Sequence, residues 1–171
     1  MFFIMAKTGT VTIDLQPMTE FREAISKKSA PIRSAIKQWA FRVRAFWQER
    51  FDKYSKGGGN WPDLADSTKR ARRGTGVFTI LRDTGLMFAA IGPAFKNAPG
   101  QLEKELKFGV RVGFGGPGKY PSGASLFDIA SFHQEGKGFL PKREIIVDPS
   151  SIVIKGMRDD MERAIKKLSH G

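Results

Sequence analysis

The glycine-rich stretch 113–120 has a residue spacing that could bind a phosphate group. It reads Gly-Phe-Gly-Gly-Pro-Gly-Lys-Tyr, which fits the pattern G-x-G-x-x-G and nearly fits the phosphate loop G-x-x-x-x-G-K-[ST]. A phosphate loop also needs a hydroxyl after the lysine to hold magnesium, and a helix whose N-terminus faces the phosphates. Tyr120 follows Lys119 instead, and Pro121-Ser-Gly123 begins no helix. We therefore interpret this stretch as a mobile hairpin tip and predict no nucleotide cofactor.

His133-Gln134-Glu135 is the second candidate, because a histidine beside a carboxylate could act as a general acid–base pair or bind a metal. No third ligand and no nucleophile stands near it in a recognisable pattern. The chain has no cysteine and only two histidines, His133 and His170, so a thiolate site is excluded and a zinc site is disfavoured. The sequence therefore predicts no catalytic residue, no metal ligand and no enzyme activity.

Four cations, Lys69, Arg70, Arg72 and Arg73, form what we term the basic cluster. Because they repel one another, they must be solvated or face an anion. The whole chain carries 29 Lys and Arg against 17 Asp and Glu, a formal net charge of +12 that favours polyanions or acidic protein surfaces. Two alternatives stay open: the cluster is a solvated loop, or it meets DNA or an acidic partner.

The length of 171 residues predicts a single domain, residues 1–171, with residues 1–9 and 170–171 as flexible termini. The apolar start Met1-Phe-Phe-Ile-Met5 is too short for a signal sequence or a membrane span, so we interpret it as a docking arm and expect no membrane contact.

Helical periodicity is clearest between Pro31 and Tyr54, where spacings of four and three place apolar residues on one stripe. The stripe residues are Ile32, Ile36, Trp39, Val43, Phe46, Trp47, Phe51 and Tyr54, with Arg33, Lys37, Arg42, Arg44 and Arg50 mostly on other faces. Further helices are predicted from Thr19 to about Lys28, after the capping residues Asp66-Ser67-Thr68, after a threonine or aspartate cap at 83–84, after Ser125, and around Met157, Met161, Ile165 and Leu168.

Strand periodicity occurs in three segments. Residues 10–15 alternate apolar and polar, residues 105–114 alternate over five pairs, and residues 143–148 form an apolar run stopped by Pro149. Ile152-Val-Ile154 is a candidate for a further short strand. These segments predict an α+β fold, with N-terminal amphipathic helices packed on a mainly antiparallel β-sheet and with a C-terminal helix.

The order of several separated motifs resembles the phage virion morphogenesis, or tail-completion, family of Mu-like tailed phages. The motifs are a tryptophan-proline-x-leucine segment, a serine-threonine pair before a basic run, an isoleucine-leucine-x-x-threonine-glycine-leucine segment, a histidine-glutamine-x-glycine segment, and a proline followed by basic residues. Here they are Trp61, Pro62, Leu64, Ser67, Thr68, the basic cluster, Ile80, Leu81, Thr84, Gly85, Leu86, His133, Gln134, Gly136, Pro141, Lys142 and Arg143. The resemblance covers the middle two-thirds of the chain.

This resemblance implies a structural virion protein of the head–tail neck, which completes the tail and joins it to the head as a ring-forming adaptor. It implies a homo-oligomer, most plausibly a hexameric ring, that contacts tail-tube or tail-terminator proteins and head-connector proteins. DNA would pass through the channel, no small-molecule substrate would be bound, and the location would be the virion after assembly in the host cytoplasm.

The alternative is a basic nucleic-acid-binding module, in which the basic cluster and the long helix contact phosphates. In either case we expect Trp61, Leu64, Ile80, Leu81 and Leu86 to be buried anchors, because large apolar residues flanked by charges and glycines have little other use.

Overall fold

The structure is a computed structural model that describes residues 3–7, 10–14, 30–72, 79–106 and 109–169. The predicted helix between Thr19 and Lys28, the cluster residue Arg73 and the histidine His170 lie outside the described residues.

The described strands form one four-stranded antiparallel sheet. The strands are β1 (Phe3–Lys7), β2 (Thr10–Asp14), β3 (Gln101–Leu106) and β4 (Gly109–Phe114), in the order β1-β2-β4-β3. Strand β1 pairs with β2 within the chain, although residues 1–9 were expected to be flexible and Met1–Met5 to be a docking arm. The sheet confirms the predicted α+β class.

The prediction of one strand over residues 105–114 is wrong, because the chain reverses between β3 and β4. Leu106 pairs with Gly109, and Glu103 pairs with Val112. Since neighbouring residues of a strand point to opposite faces, Leu106 lies on the face opposite Val110. Alternation reports which residues share a face only while the chain continues in one direction, so the pattern could not reveal the reversal.

The structure describes five helices. They are α1 (Ala30–Ser55), α2 (Asp66–Ala71), α3 (Leu86–Ile91), α4 (Leu126–Glu135) and α5 (Ser151–Ser169). Helix α1 packs along α5 and against β4, while α3 fills the space between α1, β3 and β4. Val110, Val112 and Phe114 of β4 are buried, which places the core between these helices and β4.

The apolar stripe of α1 forms the centre of the core, as its periodicity predicts. Trp39, Val43 and Trp47 are fully buried, and Phe51 is nearly so. Phe46 and Tyr54 are only partly buried and pack against the edge of this cluster. Full burial of a large apolar side chain contributes about 1.5–3 kcal/mol, so the stripe accounts for much of the driving force for folding.

Two arginines of α1 tie neighbouring elements to it. Arg44, expected away from the core, is buried, and its guanidinium donates to the Gly92 carbonyl (2.6 Å) and to Glu103 of β3 (2.7 Å). Burial lowers the pKa of Arg44, and Glu103 opposes that effect. Arg42 makes a two-point ion pair with Asp160 of α5, at 2.7 and 3.2 Å. These contacts fix α3, β3 and α5 relative to α1.

Two predicted helix starts differ from the structure. The N-cap of α2 is Ala65 without a side-chain cap, although Asp66 stands in the first turn. The N-cap of α3 is Gly85 with φ 72°, a left-handed conformation that favours glycine, and Thr84 Oγ1 accepts only a 3.4 Å hydrogen bond from Leu86 N. The predicted cap of α4 is confirmed, since Ser125 accepts from the Asp128 backbone N–H.

The predicted strands at 143–148 and 152–154 are also wrong. Ile152-Val-Ile154 lies in the first turns of α5, which begins at Ser151. Residues 144–148 are assigned to no strand, although Ile145 and Ile146 are buried as a strand would require. Their backbone groups bond to side chains from other elements, as the next section describes.

Candidate functional site

The basic cluster sits on the short helix α2, but only part of its charge is free. Lys69 Nζ lies 2.6 Å from Asp63 Oδ2, and Arg72 Nε lies 3.4 Å from Asp83 Oδ1. Arg72 also donates to the Thr79 carbonyl at 3.1 Å. Arg70 is exposed and has no ion-pair partner among the described residues. The described part of the cluster therefore presents one uncompensated cation rather than three.

The pairing of Lys69 with Asp63 changes the titration of both groups. The hydrogen bond from Lys69 lowers the pKa of Asp63, and the same bond raises the pKa of Lys69. Both side chains are in contact with solvent, so salt screens the attraction strongly. An incoming anion must still compete with Asp63 for Lys69.

Three motifs that are far apart in the sequence, around Trp61-Pro62, His133-Gln134 and Pro141–Arg143, meet in one place, which we term the junction. Its members are Trp61, Pro62, His133, Gln134, Pro141 and Arg143, together with the carbonyl of Glu144. Trp61 is only 7% exposed, and its ring meets those of Phe51 and Tyr54 edge-on, with centroid distances of 5.1 and 5.6 Å. Its Nε1 donates to the Glu144 carbonyl at 3.3 Å.

Arg143 is the central donor of the junction. It is only 4% exposed, and its guanidinium donates to the Pro62 carbonyl at 3.0 and 2.8 Å and to the Asp63 carbonyl at 2.9 Å. Burial lowers the pKa of Arg143, while the nearby charge of Asp63 raises it. Its backbone N–H donates to the His133 carbonyl at 2.7 Å. One residue thus connects the end of α4 to the loop that precedes the basic cluster.

The Gln134 side chain supplies hydrogen bonds to the backbone of segment 144–148 that a neighbouring strand would otherwise supply. Its Oε1 accepts from the backbone N–H groups of Ile145 and Ile146 at 2.8 and 2.9 Å, and its Nε2 donates to the Ile146 carbonyl at 2.7 Å. Trp47 Nε1 donates to the Val147 carbonyl at 2.8 Å. Buried backbone groups need partners, and here side chains supply them. This is why an apolar run of strand-like composition forms no strand.

His133 is buried beside Arg143 and is only 8% exposed. Burial, together with the positive charge of Arg143, lowers its pKa to about 4, and a hydrogen bond to the Pro141 backbone opposes these two effects. Its Nδ1 has no hydrogen-bond partner among the described residues. A neutral, enclosed imidazole therefore packs the junction.

Gly136 and Pro141 shape the turn that carries the last junction residues. Gly136 ends α4 with φ 72° and donates its N–H to the Phe132 carbonyl at 2.8 Å. A Cβ at this position would lie 3.0 Å from Lys142 Cβ, so glycine is required both for its conformation and for the close approach. The expected anchors Leu64, Leu81 and Leu86 are partly buried, whereas Ile80 is fully buried.

The glycine-rich stretch 113–120 is not a hairpin tip. It leaves β4 and packs on the chain just before β3, where a Cβ on Gly116 would lie 2.1 Å from the Gln101 oxygen and one on Gly118 would lie 2.3 Å from Gly100 N. The amides of Gly115 and Tyr120 donate to the carbonyls of Gly100 and Ala124. These two backbone donors are therefore used within the chain.

The rest of this loop leads into α4. Lys119 is exposed and forms a β-bridge with Ser125. Burial, together with the charge of Asp83, raises the pKa of Tyr120 to about 12, so this phenol remains protonated at neutral pH. Among the described residues, no group of three or more acidic or histidine side chains is arranged to hold a metal. No described helix combines the length and the apolar character that a membrane crossing requires.

No protein-family model matches the chain, and neither a curated protein nor a solved structure shows significant similarity to it.

The sequence motifs identified most members of the junction but not how they act. The basic residue after Pro141 was recognised only as part of a pattern, and nothing in its spacing showed that Arg143 would be buried. The partners of residues 144–148 were also missed, because Trp47 and Gln134 lie about 100 and 12 residues away in the chain.

Proposed function

We propose that this protein is a structural adaptor of the phage head–tail neck, which completes the tail and joins it to the head as a ring. The observation that carries the proposal is the junction. The separate motifs that resemble the tail-completion family interact directly, through the Arg143 guanidinium with the Pro62 carbonyl and through the Arg143 backbone N–H with the His133 carbonyl. Residues that contact and stabilise one another are expected to occur together in the members of a family. Motifs that matched the family pattern only by chance would not be expected to contact one another in the folded chain.

The junction also gives the basic cluster a rigid base. Arg143 holds the backbone of Pro62 and Asp63, and Asp63 in turn pairs with Lys69 of α2. An adaptor must present its contact residues in a fixed orientation, since mobile contacts lose conformational entropy on assembly. The chemistry of this proposed role is noncovalent, and it requires neither a catalytic residue nor a cofactor.

The partly compensated charge of α2 fits a surface beside passing DNA better than a surface that holds DNA. Tight binding to phosphates requires several free cations, since each contact adds to both the affinity and its dependence on salt. Here Lys69 and Arg72 have acidic partners within the chain. Arg70 leaves one exposed positive charge on this helix, which is too few contacts to hold DNA tightly.

The alternative, a basic nucleic-acid-binding module, is favoured by the formal net charge of +12. That charge gives a positive field, but a field does not by itself specify a binding site. The two functions differ in what the protein must do: the adaptor must complete tails, while the module must bind free DNA tightly.

A head–tail joining assay with purified protein tests the proposal. The native mass of the protein is measured alone and after mixing with isolated tails that lack it, and the joining of these tails to filled heads is then scored. We expect a hexameric ring on the tail end and restored joining. Failure to bind tails, combined with tight binding of free DNA, would favour the alternative.

A further inference from the structure

Helix α1 has a second face that lies along an open groove, in addition to the stripe that packs in the core. The groove measures about 700 Å³ and is lined by α1 residues from Gln38 to Tyr54 and by the start of α5. Phe41, Ala45, Glu49 and Lys53 follow one another along it at intervals of four, and residues at this interval share one face of a helix. At about 1.5 Å per residue the lined part of α1 is about 24 Å long, which corresponds to roughly four turns of a second helix.

Apolar side chains from both helices contribute to the groove. Phe46 and Val153 are partly buried on its walls, whereas Phe41 is 52% exposed and Ile152 is 81% exposed. Burial of apolar surface contributes about 25 cal/mol per Å², so a partner that covers Phe41 and Ile152 gains affinity. Exposed apolar residues within a concave surface are typical of a binding site.

The charged residues that line the groove are predominantly basic. The lining contains Arg42, Arg50 and Lys53 but one acidic residue, Glu49. Arg42 is compensated within the chain by its two-point ion pair with Asp160. The charge that the groove offers to a partner therefore depends on the other two cations.

Arg50 and Lys53 keep the groove positive. The Arg50 guanidinium lies over the Tyr54 ring and donates to the Glu144 carbonyl, which is a neutral acceptor. Lys53 is exposed, and the adjacent carboxylate of Asp52 is already bound by two other cations. Two cations thus stand against the single carboxylate of the lining, and their separation of three residues places them on one side of α1.

We propose that the groove binds an acidic amphipathic helix of a partner protein. The apolar face of that helix covers Phe41 and Ile152, and its carboxylates pair with Arg50 and Lys53. An amphipathic helix laid in an apolar groove is a recurring mode of recognition, in which side chains at intervals of three and four make the contacts. This inference goes beyond the proposed adaptor function and does not depend on it.

The charges select this partner over a second copy of the chain and over a nucleic acid. A second copy carries the same formal net charge of +12, so it brings a predominantly positive surface to a positive groove. A nucleic acid matches the charge, but its outward-facing phosphates and sugars leave Phe41 and Ile152 without an apolar partner. An acidic amphipathic helix meets both requirements, because it presents carboxylates and an apolar stripe on the same segment.

Binding of designed peptides tests the inference. The probe is a fluorescein-labelled helical peptide of about 16 residues, with leucines at intervals of three and four and glutamates on the remaining faces. A second peptide has lysine in place of every glutamate, and a third has the composition of the first in scrambled order. Fluorescence anisotropy gives the dissociation constants. We expect the acidic patterned peptide to bind at least about tenfold more tightly than either of the others.

Substitutions in the groove locate the binding. Ile152→Ser and Lys53→Glu should each weaken binding of the acidic peptide about tenfold, because they remove the apolar contact and reverse a pairing charge. The matched controls are Phe139→Ser and Lys96→Glu, since Phe139 is fully exposed and Lys96 is exposed, and both lie outside the lining. Neither control should change the affinity.

Glu49→Gln gives a test of sign. It removes the one carboxylate of the lining, so binding of the acidic peptide should strengthen about threefold. A partner of the opposite charge would show the reverse change. Circular dichroism of each variant confirms that the fold is retained.

The inference is overturned if the lysine peptide or the scrambled peptide binds as tightly as the acidic patterned peptide. It also fails if Ile152→Ser binds like the wild type, or if Glu49→Gln weakens binding. The joining assay separates this result from the proposed function. Protein that joins heads to tails but does not bind the acidic peptide keeps the adaptor role and excludes this use of the groove. Protein that binds the peptide through the groove but joins no heads has the opposite meaning.

Discussion

The Arg143 guanidinium donates two hydrogen bonds to the carbonyl of Pro62, a residue 81 positions earlier in the chain. Through this contact the end of α4 fixes the loop that precedes the basic cluster. The junction around it is enclosed, whereas the basic cluster on α2 faces solvent. The predictions below separate the stabilising role of the junction from the proposed binding role of the basic cluster.

Arg143→Ala should lower the free energy of unfolding by about 3 kcal/mol, because it leaves the carbonyls of Pro62 and Asp63 without their donor. Urea unfolding followed by circular dichroism measures the effect. Lys142→Ala is the matched control, since Lys142 is exposed and pairs only with Glu144, and its effect should stay within about 0.5 kcal/mol. Equal effects of the two substitutions would show that the junction contacts stabilise little.

Trp61→Ala should cost about 3–5 kcal/mol, as expected for removal of a buried tryptophan. Trp61→Phe should cost less, because it keeps an aromatic ring against Phe51 and Tyr54 and removes the hydrogen bond to Glu144. Phe139→Ala provides the exposed aromatic control. The anchor role is wrong if the unfolding midpoints of Trp61→Ala and Phe139→Ala coincide.

Stability should decrease as pH falls from about 6.5 to about 4, because the folded state lowers the pKa of His133 from 6.5 to about 4. In this window the unfolded state binds more protons, so its population rises as pH falls, and the total effect is up to about 3 kcal/mol. The carboxylates with lowered pKa, such as Asp52 and Glu144, begin to lose their contribution only as pH falls to their ordinary pKa values of 3.8 and 4.5, at the lower end of this window. Unfolding is measured at several pH values.

His133→Gln should flatten the pH dependence in that window, and His170→Gln should leave it unchanged. A slope that persists in His133→Gln would assign the effect to another group.

Binding to free double-stranded DNA should be weak, and its dependence on salt should be shallow. Each phosphate contact contributes a slope of about −0.9 in log affinity against log salt, so four contacts from the cluster would give about −3.6. Because Lys69 and Arg72 have acidic partners, we expect a slope no steeper than about −1.8, equivalent to two contacts. Salt titrations of wild-type protein measure it.

The quadruple variant with serine at Lys69, Arg70, Arg72 and Arg73 should impair head–tail joining. Lys119→Ser is the control, because it removes one exposed lysine elsewhere. Steep, tight DNA binding that disappears in the quadruple variant, together with intact joining, would contradict the adaptor role of the cluster.

The sequence by itself determined the elements whose signals are local. The stripe from Ile32 to Phe51 predicted α1, because apolar residues at helical spacing must share a buried face. Ser125 followed by Asp128 predicted the start of α4, since capping depends on residues within one turn. The alternation at residues 10–15 predicted β2, which spans Thr10–Asp14, and the α+β class followed from these elements together.

Only the tertiary structure decided the pairing of distant groups. Ile145 and Ile146 have the composition of a strand, but Gln134 and Trp47 bond the backbone of that segment, so it forms no strand. Lys69 belongs to a run of cations, but the fold places Asp63 beside it and reduces its free charge. A pattern in sequence reports the preference of a segment, whereas the partner of each buried or charged group depends on which distant residues the folded chain brings within reach.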